Sequence, residues 1–337
     1  MRLRRADRSV PGLVRVRRGR GFAYLDTDGE RIDDEDTVQR IEQLAIPPAW
    51  REVWICPDPR GHLQATGIDA AGRTQYLYHT VWREQRDRQK FREMEEFAQA
   101  LPGLRRRVRE GLRSDAEPTR ERVAAGATRL LDIGLFRVGS EHYADESGHF
   151  GLATLTREHL RWHNGWAAFD YIGKSGVRNV LEISDPDSVE LLRQLCRRRS
   201  GPPELLSYRQ GRRWCRLGSD GINDYIKANC GESFSAKDFR TWNATALAAA
   251  RLDHYERRPT PRPRSRQRVI RAVVKEVAEM LGNTPAVARR SYIDPRVVDS
   301  YLSGATIGVD LDRVATLGEV GDRRRREVER ALLRMLA

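Results

Sequence analysis

Leu281-Gly-Asn-Thr-Pro-Ala-Val-Ala-Arg-Arg-Ser-Tyr292-Ile-Asp-Pro295 reads as the end of one helix followed by a second, short one. Gly282 suits the left-handed position just past a helix C-terminus. Thr284 fits an N-cap, with Pro285 at the first helical position, where its missing N–H costs nothing. Tyr292 lies seven residues further on, two turns and about 10 Å along the axis. Pro295 disfavours helical geometry at Asp294 and closes the element. Asn283 in the turn and Tyr292 late in the helix can therefore converge on one site, with Arg289 and Arg290 nearby. Amphipathic packing is the simpler account of a lone helical tyrosine, so the partners must come from the rest of the chain.

A chain of 337 residues favours two domains. Its 61 Lys and Arg against 48 Asp and Glu give a net charge of +13, and the isoelectric point near 10.0 points to a polyanionic partner, nucleic acid above all. Arginine supplies nearly all of that charge, the lysines being only Lys90, Lys174, Lys227, Lys237 and Lys275. Cys56, Cys196, Cys215 and Cys230 show no C-x-x-C pairing and no metal-finger histidine, which fits reduced thiols in a cytoplasmic protein. No apolar run approaches membrane-spanning length and no signal-peptide pattern appears. The Arg-rich first twenty residues read as a basic arm.

Residues 1–85 are expected to form a β-rich domain. Strand signals occur at Leu13–Val16, Gly21–Leu25, Glu52–Cys56, His62–Thr66 and Thr74–His79, with a short helix from Thr37 to Leu44. In the last strand Tyr76 and Tyr78 share one face, beside Arg73. That face fits a nucleic-acid surface or a core equally well. Residues 86–337 are expected to be mainly helical, beginning with a densely charged, solvated helix over 81–112. A helix over Pro118–Ile133 precedes Arg137, and another is expected over Ser140–Glu146. Residues 157–183 switch to strand spacing, and Gly173-Lys174-Ser-Gly176 sits at a hairpin tip. Ser235 and Asp238 form a capping box for a helix that carries Arg240 in its first turns. The stretch Arg257–Arg268 reads as a Pro/Arg-rich linker, and Arg323–Arg330 as a charged terminal helix. The class is α+β, with one small sheet in the helical part.

Arg137, Lys174, Arg240, Asn283 and Tyr292 make a coherent set. A phenol can attack a phosphodiester and hold the strand as a phosphotyrosine. Two arginines can clamp the non-bridging oxygens in the transition state. The departing sugar oxygen needs a proton, which arginine gives up poorly and a lysine can supply, so Lys174 is the natural general acid. Asn283 can donate one further hydrogen bond. Nothing in this scheme calls for a metal or a nucleotide cofactor.

With Ile46-Pro-Pro-Ala-Trp50, Gly61-His-Leu-Gln-Ala-Thr-Gly67, Gly72-Arg-Thr-Gln-Tyr-Leu-Tyr-His79, Phe136-Arg-Val-Gly139, Gly151-Leu-Ala-Thr-Leu155, Gly173-Lys-Ser-Gly176 and Lys237-Asp-Phe-Arg-Thr-Trp242, the chain resembles the poxvirus-like type IB DNA topoisomerases of bacteria. Each motif is weak, but their number and order are not. The resemblance implies a β-rich domain and a helical catalytic domain closing as a monomeric clamp around double-stranded DNA, with no obligate protein partner and no membrane. It implies Tyr292 as nucleophile forming a 3′-phosphotyrosyl link, Arg137 and Arg240 as phosphate clamps, and Lys174 as general acid. Asn283 matches a position where poxvirus members carry histidine, which puts a proton-transfer role there in doubt. Gln75, Tyr76, Tyr78 and Tyr143 match DNA contacts, beside Arg73; Lys237 is a phosphate contact or a contributor to proton transfer. The rival enzyme class is the tyrosine recombinases, which share this chemistry. Those commonly place a histidine three residues before the second arginine, where this chain has Lys237, and their N-terminal domain is usually helical. A non-catalytic DNA clamp would leave the tyrosine–lysine–arginine set without a purpose.

Overall fold

The computed structural model describes residues 1–114, 117–139, 148–258, 265–309 and 321–337. These form two compact units, Met1–Lys90 and Phe91–Ala337. The first is built on a five-stranded antiparallel sheet of order β2-β1-β3-β4-β5, where β1 is Leu13–Arg18, β2 Gly21–Leu25, β3 Arg51–Ile55, β4 Leu63–Ile68 and β5 Thr74–Tyr78. Alternation along β1, β3 and β4 turns Leu13, Val53, Ile55 and Ala65 into one small core. Helix α1 (Glu35–Gln43) closes it with Ile41, after Asp34 caps its N-terminus by accepting from the Thr37 amide. The basic arm is tied down at Arg4, whose amide donates to the Arg60 carbonyl at 2.9 Å.

Helix α2 (Thr80–Ser114) starts in the first unit and runs into the second. It departs from the solvated helix expected there: Phe91, Met94, Phe97, Leu101, Leu104, Val108 and Leu112 are all buried. Their spacing of three and four residues makes a core stripe that the abundance of arginine hides. Helix α3 (Arg120–Gly134), capped by Thr119, is buried along nearly its whole length. A three-stranded antiparallel sheet follows, in the order β6 (Leu160–His163), β7 (Trp166–Ile172), β8 (Arg178–Ile183).

The helical unit holds a second sheet where one was expected, the hairpin β9 (Ser207–Gln210) and β10 (Arg213–Arg216). Its charged residues conceal the period-two signal. The remaining helices are α4 (Pro186–Arg197), α5 (Ser219–Cys230), α6 (Ala236–Arg257), α7 (Arg266–Leu281), α8 (Pro285–Ser291), α9 (Pro295–Leu302) and α10 (Gly321–Leu336). The helix expected over Ser140–Glu146 lies outside the described residues.

Helix α10 is also more than a charged tail. Its Arg325 side chain is 2 % exposed, and it donates to Asp132 at 2.6 Å while pairing with Glu329 at 3.3 Å. Arg105 of α2 bridges the same two carboxylates, at 2.9 Å and 2.6 Å. Burial disfavours ionised Asp132, but Arg105 and Arg325 outweigh it and hold its carboxyl well below the usual range. The cluster thus fixes α10 and α2 against α3, close before the segment that carries Arg137.

Candidate active site

Tyr292 sits where the opening stretch places it, and the local reasons are the expected ones. Gly282 ends α7 at φ +59°, Thr284 accepts from the Val287 amide, and Pro285 starts α8. Tyr292 is the C-cap residue of α8. Asp294 then caps α9, with Pro295 at its first position. Helix α6 crosses behind this turn. Its Thr245 hydroxyl donates to the Tyr292 carbonyl at 2.9 Å and accepts from the Asp294 amide at 3.1 Å. The backbone that leaves Tyr292, on either side of Ile293, is therefore held from one buried side chain.

The same helix carries Arg240, capped as expected by the reciprocal Ser235–Asp238 pair. The Arg240 guanidinium is 5 % exposed and donates to the carbonyls of Leu135 and Leu281. Those carbonyls belong to the end of α3 and the end of α7, so one side chain ties together the two segments that bear Arg137 and Tyr292. Its Cζ lies 5.4 Å from the centroid of the Tyr292 ring. Burial, together with the charge of Arg137, pushes Arg240 down to about 10, which leaves it cationic at neutral pH.

Arg137 is positioned by its neighbour Phe136, fully buried and edge-on to Phe169 of β7 at 5.0 Å. Its Nη2 donates to the Gly282 carbonyl at 2.9 Å and to Asn283 Oδ1 at 2.6 Å. Because arginine can only donate, this bond fixes the orientation of the Asn283 amide. Asn283 Nδ2 is thereby turned towards the Tyr292 phenol, yet among the described residues it completes no hydrogen bond of good geometry. Arg240 Nε is likewise buried and without a partner among the described residues. Two unsatisfied donors at one place cost stability and mark where an acceptor would be welcome.

Arg137, Lys174, Lys237, Arg240 and Tyr292 line one cavity of about 300 Å³. Lys174 reaches it from the turn between β7 and β8, in which Ser175 takes φ +66° and Gly176 φ +73°. Burial works against ionising Tyr292, but the charges of Arg240 and Arg137 outweigh it and hold the phenol below its ordinary value. Tyr171 feels the same two arginines, yet burial pushes it up to about 12. Of Tyr171 and Tyr292, only Tyr292 is eased towards the phenolate.

In the first unit, Tyr76 and Tyr78 are 47 % and 39 % exposed, while Leu77 between them packs on the core. Both rings lie outward rather than in the core, 6.2 Å apart and nearly parallel. Arg73 and Gln75 both donate to the Asp69 carboxylate, at 2.8 Å and 2.9 Å. Tyr143 lies outside the described residues. Two side chains escaped the sequence reading. His149 lines the cavity two residues before a quoted motif; Thr245 lies on α6, five residues after Arg240.

The sequence family described as eukaryotic DNA topoisomerase I, catalytic core, matches residues 79–302, and that of the bacterial DNA topoisomerase IB N-terminal domain matches residues 21–69. DNA topoisomerase 1B of Acanthamoeba polyphaga mimivirus is 28 % identical over 298 residues, covering 87 % of this chain and 88 % of the viral one. DNA topoisomerase 1B of Vaccinia virus (strain Copenhagen) is 21 % identical over 276 residues, covering 79 % and 82 %. DNA topoisomerase 1 of Candidozyma auris is 29 % identical over 134 residues, 39 % of this chain but 17 % of the yeast protein.

Proposed function

Because the chain belongs to the type IB DNA topoisomerases, we propose that it relaxes supercoiled duplex DNA through a covalent Tyr292 intermediate. The observation that carries this reading is the single cavity into which Arg137, Lys174, Arg240 and Tyr292 converge. With duplex DNA bound, the Tyr292 oxygen attacks the scissile phosphorus. A P–O bond to tyrosine forms as the P–O5′ bond breaks. The phenolic proton is lost to solvent, a step eased by the two guanidiniums, and Lys174 protonates the departing 5′-oxygen. Arg137, Arg240 and the unsatisfied Asn283 amide stabilise the charge gathering on the non-bridging oxygens. Lys237 borders the same phosphate. The cut strand rotates, and the 5′-hydroxyl attacks the phosphotyrosine to reseal it, with Lys174 taking the proton back.

Residues Arg73, Gln75, Tyr76 and Tyr78 are assigned to the DNA surface of the first unit, on the strength of the two exposed rings and the neighbouring arginine. The recombinase alternative is disfavoured by Lys237 and by the sheet, rather than helices, in the first unit. Relaxation of a supercoiled plasmid in EDTA without ATP tests the activity. Tyr292→Phe keeps the ring and removes one oxygen, so it should bind DNA as the parent does while forming no covalent adduct on a denaturing gel. An adduct that persists in this variant assigns the nucleophile elsewhere.

A further inference from the structure

His149 lines the cavity and has no task in the scheme above. Its position is set by backbone pairing on both sides. The Phe150 amide donates to the Ile172 carbonyl at 2.8 Å, binding this strip to the end of β7, two residues before Lys174. The Leu152 and Ala153 amides donate to the carbonyls of Arg137 and Val138, at 2.8 Å and 2.7 Å, binding it to the segment that carries the first arginine. Gly151 has no room for a side chain there, since a Cβ would stand 2.5 Å from the Gly139 Cα. The register therefore has little slack. The Phe150 ring packs on His159 at 4.3 Å.

So held, the imidazole lies over the turn that presents Lys174, with Nε2 4.0 Å from where a Cβ on Gly176 would be. The groups that share the cavity with it are Arg137, Lys174, Lys237, Arg240 and the Tyr292 phenol. Among the described residues this half-buried imidazole shares the cavity with four cations and with no carboxylate. The acceptor that its surroundings call for is an incoming phosphate.

We infer that His149 is a further catalytic residue, donating its imidazole N–H to a non-bridging oxygen of the scissile phosphate from the Lys174 side. The inference rests on the covalent-tyrosine reading. It differs from the role of Lys174 in the atom addressed: an equatorial oxygen rather than the leaving one.

The test is single-turnover cleavage of a short duplex by the full chain, comparing the parent with H149L and H149Q. A hydrogen bond to a charged group corresponds to a loss of about 10- to 100-fold in H149L at saturating DNA. Glutamine retains an N–H donor, and H149Q should recover most of the rate. A methylphosphonate at the scissile position replaces one non-bridging oxygen by methyl. The H149L penalty should shrink on one of its two diastereomers. Parental cleavage by H149L overturns the inference, as does a penalty of equal size on both diastereomers. Full rescue of H149L by sulfur at the bridging 5′ position also overturns it, because the defect would then lie at the leaving group. Should the parent itself form no adduct, the Tyr292 reading fails first; a parental adduct with an indifferent H149L removes His149 alone.

Discussion

Thr245→Val changes one hydroxyl to a methyl of similar volume, and the structure says what that hydroxyl does. It donates to the Tyr292 carbonyl and accepts from the Asp294 amide, in a side chain only 3 % exposed. Valine fills the same space and makes neither bond. Asp294 is 1 % exposed, so its amide would be left buried and unpaired. Such an orphan costs about 1–3 kcal/mol, which for a unit of this size lowers Tm by about 2–4 °C per kcal/mol. The kinetic consequence should be larger. The two bonds pin the backbone on either side of Ile293, directly after Tyr292, and displacing a nucleophile by about 1 Å can cost 10²-fold. Single-turnover cleavage should fall by about 10- to 100-fold with non-covalent DNA affinity unchanged, and Thr245→Ser, which keeps the hydroxyl, should restore most of it. Parental cleavage by Thr245→Val despite a lowered Tm would refute the reasoning, leaving the bonds a purely structural part. A Thr245→Ser variant as slow as the valine one would move the cause from hydrogen bonding to packing.

Lys174→Ala should slow cleavage by about 10²- to 10⁴-fold, the usual cost of a lost general acid. A 5′-bridging sulfur, which leaves without a proton, should recover much of that rate but not the losses in Arg137→Ala or Arg240→Ala; equal rescue of all three would end the division of labour. Asp69→Asn keeps an acceptor for the turn but releases Arg73 from a full charge. Its salt dependence of DNA binding should steepen by up to about 0.9 in log–log slope, one phosphate contact, and an unchanged slope would exclude Arg73 from the interface. Acid stability follows from Asp132, Asp185 and Glu329, whose folded pKa values are all held below their ordinary ones. Their contribution is complete above the unfolded carboxylate range of about 4 and drains away as pH falls through the lower folded values. Tm should be level from pH 7 to 5 and drop below 4. Glu329→Gln should destabilise by about 3–5 kcal/mol at neutral pH and flatten the acid limb; a parental acid limb in that variant would contradict the assignment.

What the sequence made legible was local. The glycine–asparagine–threonine–proline turn, the Ser235–Asp238 box and the glycine-flanked Lys174 each carry their geometry within a few residues, so their backbones could be written down before any packing was known. The α+β arrangement followed from strand-like alternation in one part and helical spacing in the other. The failures share a cause too. Arg105 and Arg325 look solvated because their partners lie far off in sequence: Asp132 is 27 residues from Arg105, and Glu329 is 224. No periodicity separates a paired, buried arginine from an exposed one. Thr245 is silent until α6 crosses the Tyr292 turn, and His149 until a strip of loop pairs with both β7 and Arg137. A signal for His149 did exist, in its place two residues before a motif already singled out.

The scarcity of lysine has a practical side. The chain contains five lysines among 61 basic residues, and two of them, Lys174 and Lys237, open into the cavity beside Tyr292. An acylating reagent that ignores guanidinium groups therefore has few targets on a surface otherwise dense with positive charge. Bound DNA should shield those two amines while Lys275, 70 % exposed on α7, keeps reacting and serves as the internal standard. Mass-spectrometric labelling of one protein, with and without duplex, would then read occupancy of the site directly, with no engineered probe.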